Sequence, residues 1–152
     1  MAKRYWLMKS EPYVYSIDEL EKDGSTYWEG VRNYKARNNM REMKVGDGVI
    51  FYHSNAKPPC AVGTARVCKE AYPDKYQFDE SSKYHDPKSD PDNPRWDLVD
   101  IEFVSKFKHS VTLADIKEDP NLRDMELVRY GRLSVQAVTK AEFDYVKKMG
   151  RG

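Results

Sequence analysis

Trp28-Glu29-Gly30-Val31-Arg32-Asn33-Tyr34-Lys35-Ala36-Arg37-Asn38 carries the chain from an extended segment into a cationic helix. Asn33 is of the type that caps helices, because its side-chain oxygen accepts from a free N–H of the first turn. Ala36, Met40 and Met43 then recur at the three-and-four spacing of one helical face, which predicts a helix over 34–43 with an apolar stripe. Arg37, Arg41 and Lys44 fall about 100° around the cylinder from that stripe, so the cations flank the packed face and lean over whatever lies beside it. Ahead of the helix, a large flat ring stands close to a glycine. Such a pair can line a slot, since glycine lets the backbone approach whatever lies on the ring. The plain alternative is a core tryptophan followed by a solvated helix, and the residue types alone favour the two equally.

Working outward, Arg4 to Lys9 is too continuously apolar for an exposed edge and is expected as a buried strand. Ser16 and Glu19 have capping-box spacing and open a short helix to Lys22, which Gly24 stops. After the 34–43 helix come strands over 49–53 and 61–71, the second with Gly63 inside it, the mark of a bulge or a close backbone approach. Residues 72–94 form a long acidic, proline-rich loop, a length that is usually functional. A strand over 96–108, short helices over 113–118 and 121–130 and a strand over 133–138 follow. A last helix over 140–149 opens with a second capping box, Thr139 and Glu142. Scattered strands with short helices between them predict one mixed α+β domain over 1–152, with a curled sheet or small barrel rather than a doubly wound parallel sheet.

A chain of 152 residues can bury a fair core. There is no apolar run of about 18 residues and no signal-peptide pattern, so a membrane span is not expected. Cys60 and Cys68 are the only two cysteines and form no Cys-x-x-Cys pair, which fits a reducing compartment and argues against a disulfide framework or a zinc site. The expectation is a soluble, cytoplasmic monomer without cofactor or metal. Net charge is only +1, which excludes a blanket nucleic-acid coat. The charge is uneven, however: Arg32, Lys35, Arg37, Arg41 and Lys44 crowd one segment, and seven carboxylates crowd residues 73–97. A local basic face on a neutral body suits a few phosphate contacts.

Four motifs carry a resemblance. Tyr5-Trp6-Leu7-Met8-Lys9-Ser10-Glu11-Pro12, Trp28 to Tyr34, Phe51-Tyr52-His53-Ser54 and Arg132-Leu133-Ser134-Val135-Gln136 together are similar to the EVE domain, across nearly the whole chain and in order. The chain resembles its stand-alone bacterial members. The resemblance implies a PUA-like pseudobarrel of about five to six mainly antiparallel strands with short flanking helices. It also implies relationship to the YTH readers of methylated adenine in RNA, and a role in reading modified bases, modified cytosine in DNA above all. By the same resemblance Trp28 matches the first wall of an aromatic cage, Lys9-Ser10 the end of the first strand, and Glu11 a residue that touches the base edge. A second wall has five candidates: Tyr72, Tyr76, Phe78, Tyr84 and Trp96.

The expected partner is therefore a nucleic acid carrying a modified base, DNA favoured and RNA possible. A flipped base costs a few kcal/mol to unstack, and stacking on Trp28 returns about 1–3 kcal/mol. Glu11 can accept from the exocyclic amino group of cytosine, though adenine offers one too. Burying a methyl group adds only about 0.8 kcal/mol, so a hydroxymethyl group, with its hydrogen bond, is easier to discriminate. Val31, His53, Ser54 and Ser134 complete the base pocket, with Asn33 a cap first and a ligand contact second. Arg32 and Arg37 are the expected phosphate contacts, joined by Lys35 and Arg41, while Arg132 either guards the pocket mouth or pairs with the acidic loop. Trp28→Ala is expected to remove binding and leave the fold intact. Two other classes compete. A nucleotide-acting enzyme, such as a glycosylase or nuclease, lacks any deaminase, Walker or nucleophile-elbow signature here. A general RNA-binding module would use the basic face with little base selectivity.

Overall fold

The computed structural model describes residues 3–151. Its strands are β1 (Tyr5–Ser10), β2 (Ser25–Tyr27), β3 (Gly48–His53), β4 (Cys60–Pro73), β5 (Asp97–Thr112) and β6 (Val135–Val138). They form one six-stranded sheet in the order β2-β5-β4-β3-β1-β6. Among the described residues, only β1 and β3 pair in parallel; the other neighbours are antiparallel. A parallel pair needs a long crossover. It is supplied here by helix α1 (Ile17–Asp23), β2 and helix α2 (Tyr34–Glu42).

The continuous apolar run in β1 is explained by burial on both faces of the sheet. Trp6 and Met8 pack with Val49 and Phe51 against Ala36, Met40 and Met43, the apolar stripe that begins in α2. Leu7, between them, points the other way with Ile50 and Tyr52. That second face is covered by Ile116 of α3 (Leu113–Glu118), Leu127 of α4 (Glu126–Arg129), and Phe143 and Val146 of α5 (Lys140–Arg151). Each large apolar side chain so buried stabilises the fold by about 1.5–3 kcal/mol. Among the described residues, no helix is long and apolar enough to cross a membrane.

The two longest strands, β4 and β5, slip register repeatedly along their length. Each slip adds local twist and bends the pair. Gly63 lies at one of them, where a Cβ would stand 2.4 Å from the Ser105 carbonyl oxygen; this is the close approach that a glycine inside a strand signalled.

Both capping boxes form. Ser16 Oγ accepts from Glu19 N at 3.2 Å and the Glu19 carboxylate from Ser16 N at 3.1 Å. Thr139 and Glu142 repeat the exchange at 3.1 and 3.0 Å. Three of the boundary differences from expectation have a visible cause. β5 runs on to Thr112 because β4 continues opposite it as far as Cys60. The helix expected over 121–130 is only Glu126–Arg129, since the Asp119 carboxylate takes the Asn121 N–H in a turn. β6 starts at Val135, because Leu133 N bonds to Tyr130 O in another turn.

The long 74–96 segment is ordered around one buried side chain. Gln77 donates to the carbonyls of Asp74 and Trp96, each at 2.7 Å, and accepts from Trp96 N at 3.0 Å. A single 3-10 turn, Lys75–Phe78, contains it. This anchoring gives a loop without periodicity a fixed shape and holds its far side against the 28–32 segment.

Candidate nucleic-acid interface

The ends of β1 and β3 and the segment after β2 converge on one hollow of about 770 Å³. That size lies within the ordinary range for small-ligand sites. Lys9 and Ser10 line it from β1, Glu11 from just beyond that strand, and Trp28 and Val31 from the segment after β2. Ser54 and Ser134 also line it, as do Arg32 and Arg132.

Trp28 is both core and wall. Its backbone N–H donates to Val99 O at 2.9 Å, and its ring meets Phe51 edge-on with centroids 5.5 Å apart. It keeps only 9% of its surface exposed, and it lines the hollow. The expectation that Trp28→Ala leaves the fold intact is therefore corrected: removing so buried an indole costs about 3–5 kcal/mol.

Of the five aromatic candidates for a second wall, Tyr84 alone lines the hollow. Gly30 makes room for it. A Cβ at Gly30 would stand 2.6 Å from the Tyr84 ring, and the residue has φ +81°, a conformation that favours glycine. Three of the others are occupied elsewhere: Tyr72 bonds to Asp100, Tyr76 stacks with Tyr27, and Trp96 stacks on Tyr34 at 4.9 Å.

Asp74 fastens this corner. Fully buried, it accepts from Gly30 N at 2.9 Å, from Tyr76 N at 2.9 Å and from Arg32 at 3.1 Å. Arg32 also donates twice to the Tyr84 carbonyl, at 2.7 and 3.0 Å. One buried carboxylate and one guanidinium thus hold the two aromatic walls in register.

The expected phosphate contacts need correction for the same reason. Arg32 spends its donors on Asp74, Tyr84 and Val31. Arg37 donates to Arg95 O at 2.9 Å and its guanidinium lies 4.7 Å from the Tyr34 ring centroid. Arg41 pairs with Asp97 at 2.5 Å. The basic segment and the acidic segment face each other across the fold, so the cations near the loop brace it. Arg132, the residue offered as a possible partner for the acidic loop, instead lines the hollow.

Two base-pocket expectations also change. His53 does not line the hollow; its Nε2 accepts from Ile17 N at 3.1 Å and so holds the start of α1. Burial pushes its imidazole below the ordinary value, which keeps it neutral as that acceptor role requires. Asn33 caps α2, accepting from Ala36 N at 3.0 Å, and faces a neighbouring hollow with Lys35 rather than this one.

Glu11 lies on the hollow with one carboxylate oxygen, Oε2, occupied. That oxygen accepts from the Tyr13 hydroxyl and from Asn55 Nδ2 at 2.7 Å. Those bonds, the Tyr13 one first, hold its carboxyl below the usual carboxylate range and keep it an acceptor. Glu29 lines the same hollow in the opposite condition: burial pushes its carboxyl up. Lys9 Nζ donates to Gly131 O at 2.5 Å, and burial lowers its ammonium. Lys83, exposed beside Tyr84, adds a cation at the rim. Sequence reasoning passed over Glu29, Asn55 and Lys83. Only the adjacency of Lys83 to an aromatic residue signalled any of them. Among the described residues, no three His, Cys, Asp or Glu side chains are grouped to hold a metal ion.

Known proteins share this arrangement of chain. The EVE domain family matches residues 4–149. Human thymocyte nuclear protein 1 is 42% identical over 161 aligned positions, which span 93% of this chain and 72% of that protein. A structure of a hypothetical protein from Leishmania major superposes with TM-score 0.94 at 46% identity, covering 98% of this chain and 95% of that one. The crystal structure of human THYN1 protein in complex with 5-methylcytosine-containing DNA gives TM-score 0.93 at 40% identity, covering 99% of each chain. The six-stranded sheet with its short helices is accordingly the PUA-like fold. With the motifs of β1, the 28–34 segment, β3 and β6 all in place around one hollow, the chain belongs to the EVE domain family.

Proposed function

We propose that this chain is a non-catalytic nucleic-acid-binding module that reads a flipped, modified base, foremost a modified cytosine in DNA, in the hollow between Trp28 and Tyr84. The observation that carries this is the convergence of the Trp28 and Tyr84 rings, the carboxyl groups of Glu11 and Glu29 and cationic rim residues on one cavity. Aromatic rings stack a base extruded from its helix, the carboxylates suit its amino edge, and the cations suit its phosphates. Support for the ligand class comes from the human relative, crystallised with DNA containing 5-methylcytosine.

Glu11 and Glu29 divide the edge between them. Glu11, held ionised, is the acceptor for the exocyclic amino group. Glu29, with its raised carboxyl, responds to pH nearer neutrality and sits beside the same ligand. Ser10, already donating to Tyr15 O at 2.6 Å, shapes the wall, whereas Ser54 and Ser134 supply small polar groups to the hollow.

The test is a binding screen with DNA and RNA oligonucleotides bearing unmodified, methylated and hydroxymethylated cytosine or adenine, run with wild type and Tyr84→Ala. Tighter binding of one modified base, weakened by about 1–3 kcal/mol in Tyr84→Ala, is the expected outcome. Equal affinity for modified and unmodified strands would sink the proposal. Equal affinity with near-total loss at high salt would point instead to a general backbone binder of the RNA-binding kind.

A further inference from the structure

Arg132 belongs to two cavities. Besides the hollow between Trp28 and Tyr84, it lines a second one of about 440 Å³ with Asn33, Lys35, Tyr130 and Leu133. This second hollow combines an exposed aromatic ring with two cations. Tyr130 leaves 54% of its surface exposed, and neither Lys35 nor Arg132 pairs with a carboxylate among the described residues, unlike Arg32 and Arg41. Leu133, nearly buried, gives an apolar patch beneath. Asn33 commits its oxygen to Ala36 N and keeps its amide N–H groups for a ligand. The one carboxylate present, Glu126, accepts from Ala137 N at 2.9 Å.

The turn that carries Tyr130 and Arg132 is tied down through its backbone. Tyr130 O accepts from Gln136 Nε2 and from Leu133 N, both at 3.0 Å, and Gln136 Nε2 also reaches Leu133 O at 2.8 Å. Lys9, which lines the first hollow, fixes the same turn through Gly131 O. With the backbone beneath Tyr130 held this way, less of the chain must be ordered when something stacks on its exposed ring. Aromatic face plus cations is the chemistry of single-strand recognition, in which successive bases stack and phosphates meet Lys and Arg.

We infer that this second hollow holds the nucleotide next to the flipped base on the same strand, its base on Tyr130 and its phosphate between Lys35 and Arg132. The inference rests on the base-reading proposal above and extends it from one nucleotide to two.

The experiment compares two probes on the full chain: 5-methyl-2′-deoxycytidine 5′-monophosphate, and a single-stranded pentanucleotide with 5-methylcytosine at its centre. Wild type is expected to bind the pentanucleotide more tightly. Tyr130→Ala is expected to lower pentanucleotide affinity by roughly 5- to 150-fold and leave the mononucleotide unchanged, while Tyr130→Phe keeps both. Lys35→Ala is expected to make pentanucleotide binding less salt-dependent. Pentanucleotide affinity unaffected by Tyr130→Ala would overturn the second site while the first stands. So would an equal loss on both probes, which marks a general structural effect. Wild type binding neither probe would overturn the base-reading proposal and this extension together.

Discussion

The molecule has two cationic margins with opposite fates. Toward the 74–97 segment, Arg32 and Arg41 pair with Asp74 and Asp97, and Arg37 donates to a backbone carbonyl. Toward the 130–133 turn, Lys35 and Arg132 stay exposed and without a carboxylate partner among the described residues. In sequence all five look alike. A guanidinium whose donors are spent on buried acceptors braces the fold and has its charge cancelled. An unpaired one keeps both its charge and its donors for phosphate. The charge that matters for binding is what remains after internal pairing.

The braced margin breaks hardest at Asp74. Asp74→Ala leaves Arg32 and the Gly30 N–H without their acceptor, and a broken buried pair costs about 3–5 kcal/mol. Urea unfolding measures it; a loss under about 1 kcal/mol would mean that the pair does not hold the corner. Next comes Gly30→Ala, expected to lose at least about 1–2 kcal/mol from the left-handed backbone alone, with Tyr84 displaced as well. Crystallography of the variant reads the ring position, and an unmoved Tyr84 with full stability would refute the packing argument.

The open margin is expected to behave in reverse. Lys35→Ala and Arg132→Ala leave stability within about 0.5 kcal/mol, yet each flattens the salt dependence of single-strand binding by about 0.7 in logarithmic slope. Arg41→Ala serves as the contrast, destabilising the fold with its slope unchanged. If Arg41→Ala changes the slope as much as Arg132→Ala, the two margins are not distinct.

The smallest effect concerns His53. Burial lowers its folded pKa below the ordinary 6.5, so the unfolded chain takes up the proton more readily. Its contribution is present above about 6.5 and is lost as pH falls through the lower folded value. His53→Gln keeps an acceptor that does not titrate, and is expected to flatten the stability profile on the acid side of 6.5. An unchanged profile would remove His53 from α1's support.

Much of the fold was legible because it is governed by short-range rules. The capping boxes at Ser16 and Thr139, the Asn33 cap and the α2 stripe all depend on residues within a few positions of each other. Strand ends were less legible: β5 extends to Thr112 only because β4 lies opposite, and β6 is shortened by a turn fixed through Gln136. In the site, the Lys9-Ser10-Glu11 and Trp28 motifs line one hollow. Tyr84 could not be chosen from five aromatic residues, because a loop organised by Gln77 has no periodicity to reveal which ring turns inward. Lys83 went unnoticed for the same reason, and Glu29 because its neighbours in sequence do not reveal which way it faces.

The sequence by itself determined the family, the elements and the two alternatives for Trp28, since these follow from local spacing and from motifs in order. Tertiary structure alone decided which aromatic faces Trp28's hollow, which cations are cancelled and which stay free. Those outcomes depend on contacts between residues dozens of positions apart, such as Asp74 with Gly30 and Arg32, and burial sets their strength only once the chain has folded.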